Sequence, residues 1–315
     1  MSKRTRYDGG IRPSEITPRS IAFGRRRLLG AAAGLAFTWR SGATWASPPN
    51  ADERFRTAAK SRYSTDEAPT PIEIATTRTR FRELEEDIAK NGEAYTPYPW
   101  KVSVEGACAK PRVFDLDDLL GLAPFEERTY RMLCTEGWLH IVPYIGYPLS
   151  EILKRVEPTG NAKYVEFTAL YDPKQFRGQR EITYIDWPYV EGLRMDEAMH
   201  PLTFVALGAY GQVLPKGLGA PIAVRVPWKF GTKSPKAVVR MRLLEEQPRT
   251  IWPARYPKLH TFWGNVNPEG KSALFGRGMR ERAYGDILSK PTRRYNGYAE
   301  HVASLYAGMD LERMY

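Results

Sequence analysis

Short runs of alternating apolar residues, repeatedly cut by glycine and proline, limit what this chain can fold into. Trp100 to Val104 alternates, as does Tyr130 to Cys134, which sets Tyr130, Met132 and Cys134 on one face. Tyr164 to Leu170, Ile222 to Val226 and Ala237 to Leu243 read as further strands. Asp115 is placed to cap a short helix through Leu120, and Ser150 another through Val156. Arg78 to Lys90 is charged, rich in helix formers and stopped at Asn91-Gly92, so it predicts one more helix. The loops are dense in Gly and Pro, most of all Gly208 to Pro221. Strands and helices mix without a regular βαβ rhythm, and the expected fold class is α+β.

Ahead of these lies a leader of different character. Residues 1–46 carry nine basic and two acidic residues, which is +7 of the chain's formal +11. Arg25-Arg26-Arg27-Leu28-Leu29 opens an apolar stretch to Phe37, followed by Arg40, small residues and Thr44-Trp45-Ala46. A charged start, a short apolar core and a small residue at the cut describe an export signal. Paired arginines before two leucines describe its twin-arginine (Tat) form. The expected organisation is a Tat signal over 1–46, a linker or N-terminal arm with one helix over 47–95, and a single catalytic domain over 96–315. The chain beyond the leader keeps only +4 and has no block of five like charges, which argues against nucleic acid as a partner. No uninterrupted apolar run approaches about 18 residues, which argues against a polytopic membrane protein.

Residue types alone exclude several chemistries. Gly217-Leu218-Gly219 lacks the third glycine of a dinucleotide loop, and there is neither a Gly-Lys-Ser/Thr phosphate loop nor a G-x-S-x-G elbow. His140, His200, His260 and His301 stand apart and read as ordinary hydrogen-bonded residues. Two cysteines rule out a disulfide framework and any all-cysteine zinc or iron–sulfur site. Cys108 sits in a small-residue turn and reads as inert. Cys134 ends an alternating strand where the chain breaks into Thr135-Glu136-Gly137-Trp138, and is expected to lie near arginines such as Arg131. Spacing leaves it open between a structural thiol, a nucleophile and a metal ligand. A Cys108–Cys134 disulfide also stays open in an oxidising compartment.

Longer words of the sequence are more specific. The segment from Glu126 to Trp138, EERTYRMLCTEGW, resembles the cysteine segment of the MsrP family, periplasmic methionine-sulfoxide reductase catalytic subunits among the sulfite-oxidase-fold molybdenum enzymes. YVEGLRMDEAMHPLT from Tyr189, GAPIAVRVPWKFGTKSPK from Gly219, NVNP from Asn265 and NGYAEHVASLYAGMDL from Asn296 follow in the family's order. The resemblance runs from about Trp100 to Leu311. It implies a sulfite-oxidase-type molybdopterin-binding fold and a Mo–molybdopterin cofactor. It further implies reduction of methionine sulfoxide, free or in periplasmic proteins, by oxygen-atom transfer to a reduced metal centre. The implied partners are a haem-containing membrane electron-donor subunit (MsrQ-like) and oxidised periplasmic proteins.

Departures from the family's words bear on the site. Leu218 stands where the family has a pocket Asn, Ala223 where it has a pocket Arg, and Ala169, next to Thr168, where it has a pocket Thr. Arg225 lies two residues past Ala223, on the same strand face. The family's word near the arm is represented only by Thr77 to Glu83. The resemblance thus implies Cys134 as metal ligand and catalytic residue. Thr168, Ala169, Arg225, Lys233, Ser234, Pro235 and Lys236 are the implied cofactor-binding positions, and Arg78 and Arg80 would supply further cations by a rearranged route. Trp138 and Trp228 read as packing residues and Glu136 as a loop carboxylate. The altered words leave two other readings open: a molybdenum enzyme for small sulfoxides, N-oxides or sulfite, and a non-catalytic exported member of the family.

Overall fold

The computed structural model describes residues 53–310 apart from positions 86, 270, 273–275, 278, 285 and 287, so the expected leader lies outside the described residues. In chain order the strands begin with β1 (Ala59–Lys60), β2 (Lys101–Gly106), β3 (Arg112–Asp115), β4 (Glu126–Leu133), β5 (Trp138–Pro148), β6 (Tyr164–Ala169), β7 (Val190–Arg194) and β8 (Phe204–Ala209). They continue with β9 (Gln212–Val213), β10 (Ala223–Arg225), β11 (Val238–Leu244), β12 (Lys271–Ser272), β13 (Gly276–Arg277), β14 (Arg280–Ala283) and β15 (Lys290–Pro291).

Two main sheets result. The smaller has the order β3-β2-β11-β6-β7, with β2 and β11 parallel and the other neighbours antiparallel. The larger runs β1-β4-β5-β14-β15, and β8 also pairs with β5 and carries β9 and β10. β5 has β4 along one edge and β14 and then β8 along the other, and its pairing with β8 shifts register between Ile145 and Gly146, where Leu207 of β8 is the extra residue. Its first residues, Trp138 and Leu139, pair with β14, and Tyr144 to Pro148 pair with β8. Mixed sheets joined by short helices bear out the α+β expectation. Among the described residues no helix is long and apolar enough to cross a membrane.

The short helices follow their caps. Asp115 accepts from the Asp118 amide and Asp118 reciprocates, a capping box that starts Leu116–Gly121. The helix Ser150–Val156 forms too, but Leu149 stands at its cap without a side-chain bond, so Ser150 is its first helical residue rather than the expected cap. The expected helix over 78–90 does not form. Only Ile88–Asn91 is helical there, started by the Asp87 side chain. Helices at Glu53–Arg56 and Ile72–Thr77 precede it, so among the described residues the arm has three short helices where one is expected.

Helix propensity loses here because the backbone of the segment has tertiary partners. The Gly178 amide donates to the Glu83 carbonyl at 2.8 Å and Lys236 Nζ to the Arg80 carbonyl at 2.6 Å. Phe81 and Leu84 drop into the core. A Cβ on Gly178 would lie 1.8 Å from the Arg82 carbonyl, so only glycine permits this approach.

β4 divides its side chains between two tasks by parity. Tyr130 and Met132 point one way, toward core and cavity, and Cys134 continues that face. Arg131 points the other way, which corrects its expected place near Cys134. It is bidentate to Glu67 of the arm at 2.5 and 2.6 Å and to Glu281 of β14 at 2.7 Å. It also donates to the Asn296 carbonyl at 3.0 Å. This one buried guanidinium therefore fastens the arm and the C-terminal segment to the back of β4.

Candidate active site

A cavity of about 520 Å³ opens where β4 and β5 meet the arm and the loop from Gly231 to Lys236. Cys134 forms one corner. Its amide still pairs with the Trp138 carbonyl at 2.8 Å, and the Gly137 amide closes a turn onto the Cys134 carbonyl at 2.9 Å. Gly137 supplies the left-handed backbone, φ +83°, that this turn requires. The half-buried thiol accepts from the Glu136 amide at 3.4 Å. Burial pushes its pKa up, and the Glu136 amide and the Arg80 guanidinium pull against that. Without a metal the group is a neutral thiol, and a soft metal would take the thiolate and release the proton. Cys108 is also a free thiol.

The cation beside Cys134 is Arg80, from the arm. It pairs with Glu136 at 2.5 Å, and Arg82 reaches the same carboxylate at 3.5 Å. Along β5, Trp138, His140, Val142 and Tyr144 face the cavity at strand period. Trp138 stacks on Tyr284 with centroids 4.9 Å apart, under Arg282 at 4.3 Å.

A second wall comes from β10 and the loop after it. Arg225 is 2 % exposed. Its guanidinium lies 4.6 Å over the Tyr144 ring and donates to the Leu218 carbonyl; its Nε has no partner, and no described carboxylate pairs with it. A buried guanidinium stays charged, and leaving it uncompensated costs several kcal/mol by general expectation. Lys236 adds a second cation. Burial and Arg225 bring its pKa down to about 7, and its Nζ donates to the Arg80 carbonyl and to Thr79 Oγ1. Gly219, φ +96°, packs directly on it; a Cβ there would lie 2.5 Å from Lys236 Cβ. Glu83, 3 % exposed, has its pKa raised to about 7 by burial, with Lys236 pulling the other way. Buried Ser234 accepts from the Val226 amide at 3.2 Å.

The expected positions separate into two groups. Cys134, Arg225, Ser234, Pro235 and Lys236 share the cavity, as do Arg78, Arg80, Glu136 and Trp138. Three positions stand off its lining. Thr168 accepts from Arg240 within the smaller sheet at 3.2 Å, and Ala169 packs with Ile182, Ile185, Tyr189 and Ile251. Lys233 is buried with its ammonium on Glu191 at 2.5 Å and on the Gly192 carbonyl at 2.7 Å. That internal pair holds the loop and leaves no cation for a ligand. Trp228 lies in the core as expected, bonded to the Tyr306 hydroxyl at 2.8 Å.

Residue types gave no signal for Glu83, His140, Tyr144 or the aromatic side of the cavity. That side holds Tyr184, Tyr189, Trp252 and Tyr256. Trp252 donates to the Tyr189 hydroxyl at 2.8 Å, which donates in turn to the Thr232 carbonyl at 2.8 Å.

These features test what the cavity can hold. No group of three or more His, Cys, Asp and Glu suited to a metal occurs among the described residues, so a metal on Cys134 must bring its other ligands with it. An anion-bearing organic ligand would also supply the charge that Arg225 lacks. A dithiolene-bound metal carried by a pterin phosphate meets both conditions, and the donor set fits it.

Comparison with known proteins agrees. Residues 91–252 match the family described as oxidoreductase molybdopterin binding domain, which bears out the expected molybdopterin-binding fold and cofactor. The chain is 44 % identical over 314 residues to the protein-methionine-sulfoxide reductase catalytic subunit MsrP of Burkholderia mallei, covering 96 % of this chain and 95 % of the relative. It is 43 % identical over 321 residues to the protein of the same name from Ralstonia nicotianae, covering 97 % and 96 %. Among solved structures, the sulfane dehydrogenase SoxCD from Paracoccus pantotrophus has a TM-score of 0.42 at 17 % identity, over 73 % of this chain and 60 % of that one. The chain belongs to the MsrP family of molybdopterin oxidoreductases.

Proposed function

We propose that this chain is the catalytic subunit of a methionine-sulfoxide reductase that repairs oxidised exported proteins. The observation that carries this reading is one cavity holding both a soft metal donor, Cys134, and a buried cation without a counter-charge, Arg225. When bound, the molybdenum–molybdopterin group supplies two-electron oxygen-atom chemistry. Overall, a sulfoxide, two protons and two electrons become a thioether and water.

The chain's own part is to hold the group through Cys134, Arg225, Ser234 and Lys236, to seat the sulfoxide, and to carry protons. Trp252, Tyr256 and Tyr184 offer aromatic faces to a sulfur-bound methyl. Tyr189 fixes the Trp252 ring. Glu83 and Lys236, each with a pKa of about 7, are cavity groups that exchange protons in the working range.

The leader around Arg25-Arg26-Arg27 supports Tat export to the periplasm, where a haem-containing membrane subunit (MsrQ-like) would deliver the electrons. Turnover of methionine sulfoxide, free and in an oxidised protein, beside dimethyl sulfoxide and an N-oxide, tests the substrate class with reduced viologen as donor. The methionine sulfoxides should have the highest kcat/KM. Turnover confined to dimethyl sulfoxide or the N-oxide would contradict the reading.

A further inference from the structure

His140 is a cavity group that the site as described leaves unemployed. It is 8 % exposed, lines the cavity, and its Nδ1 is buried without a hydrogen-bond partner. It pairs across the strands with Met132, two positions along from the Cys134–Trp138 pair. The imidazole therefore sits diagonal to Cys134 on the same sheet face, at about 7–8 Å by the ordinary spacing of such neighbours.

Tyr284 packs edge-on against the ring at 4.9 Å and fixes its plane. The polar groups around Cys134 already have partners. Glu136 holds Arg80 and Arg82, Lys236 holds the Arg80 carbonyl, Tyr284 donates to the Arg78 carbonyl at 3.0 Å, and the Glu136 amide donates to the thiol at 3.4 Å. Burying an imidazole beside these groups without a partner is unfavourable unless a ligand completes it.

We propose that His140 donates a hydrogen bond to the oxygen of the sulfoxide, and so orients the S–O bond toward the metal held at Cys134. This rests on the cavity being a sulfoxide-reducing site. The acceptor is the substrate rather than the pterin phosphate because His140 stands at the Cys134 corner, whereas the uncompensated guanidinium of Arg225 is stacked on Tyr144, four residues further along β5. Burial and the neighbouring Lys236 hold the imidazole pKa at about 4, so the ring is neutral at working pH. A neutral ring keeps one N–H to donate, and it polarises the oxygen without bringing another charge into the cavity.

The test uses the purified holoenzyme, in the oxidised state so that sulfoxide binds without turnover. Binding of methionine sulfoxide and of methionine is read by intrinsic tryptophan fluorescence in wild type, His140→Met, His140→Leu and His140→Gln, with molybdenum per polypeptide measured on each. The two apolar variants should keep their metal and bind the sulfoxide about ten- to a hundred-fold more weakly. Their affinity for the thioether should stay within about two-fold, and His140→Gln should recover most of the difference. A packing role would weaken both ligands alike, and an unchanged sulfoxide-to-thioether ratio would overturn the proposal. So would metal loss in both apolar variants, because the proposal gives His140 no part in holding the cofactor. Fully loaded wild-type enzyme that neither binds nor reduces sulfoxide would instead overturn the functional reading, and this inference with it.

Discussion

The Arg225 guanidinium lies 4.6 Å over the Tyr144 ring, buried, with no described carboxylate to neutralise it. A cation kept in that state is an anion site whose anion comes with the ligand, and two opposite consequences follow from one substitution. Arg225→Met should stabilise the cofactor-free protein, by about 1–3 kcal/mol, because it removes an uncompensated buried charge. It should also abolish most cofactor retention. Denaturant melts of the apoprotein, beside pterin content of the protein as purified, read both. A variant that loses stability and keeps its pterin would remove Arg225 from the site.

Lys233 and Lys236 are three residues apart and do different work. Lys233→Met leaves Glu191 buried without its ammonium, and should cost about 3–5 kcal/mol of stability. Lys236→Met removes a cavity cation that has no carboxylate within bonding distance, and should lower cofactor content with a smaller change in the apoprotein melt. Equal losses of stability in the two variants would contradict this division.

Arg131 binds two carboxylates from distant segments, so Arg131→Met leaves the buried Glu281 with only Lys290 at 3.8 Å, and Glu67 with only Arg293 at 3.2 Å. The expected loss is about 3–5 kcal/mol. Limited proteolysis should then find cleavage sites in the arm that wild type protects. Melts together with cleavage mapping check both parts.

Glu83 gives a signed pH effect. Its folded pKa, about 7, stands above the usual carboxylate value of 4.5. Its contribution to stability is therefore fully present below pH 4.5 and is lost as pH rises toward 7. Lys236, lowered from 10.5 to about 7, acts in the adjoining window, where stability is gained as pH rises from about 7 to 10.5. In the apoprotein, Glu83→Gln should remove the falling limb between about pH 4.5 and 7. Parallel stability–pH curves for wild type and variant in that window would contradict the assignment.

What could be read from the sequence was local. The Asp115 cap and the alternation of β2, β4, β6 and β11 depend on neighbours within a few residues, and those elements stand where expected. β5 was not legible. It is buried on both faces from Leu139 to Tyr147 and includes Pro143 and Gly146, so it shows no alternation. With β5 unread, the shared face of Trp138, His140 and Tyr144 could not be seen either.

The helix expected over 78–90 failed for a non-local reason, since its carbonyls bond to Lys236 and Gly178, far along the chain. Parity along β4 was available and would have turned Arg131 away from Cys134. Nothing local distinguishes Lys233, with its buried Glu191, from Lys236.

The central claim is that Cys134 and the buried cations together hold molybdenum–molybdopterin. Molybdenum and pterin per polypeptide, measured on purified wild-type protein beside Cys134→Ser, decide this. Wild type should carry near-stoichiometric metal and pterin, and the serine variant should lose the metal. Folded wild-type protein without metal or pterin, from a host that loads a control molybdoenzyme, would contradict it.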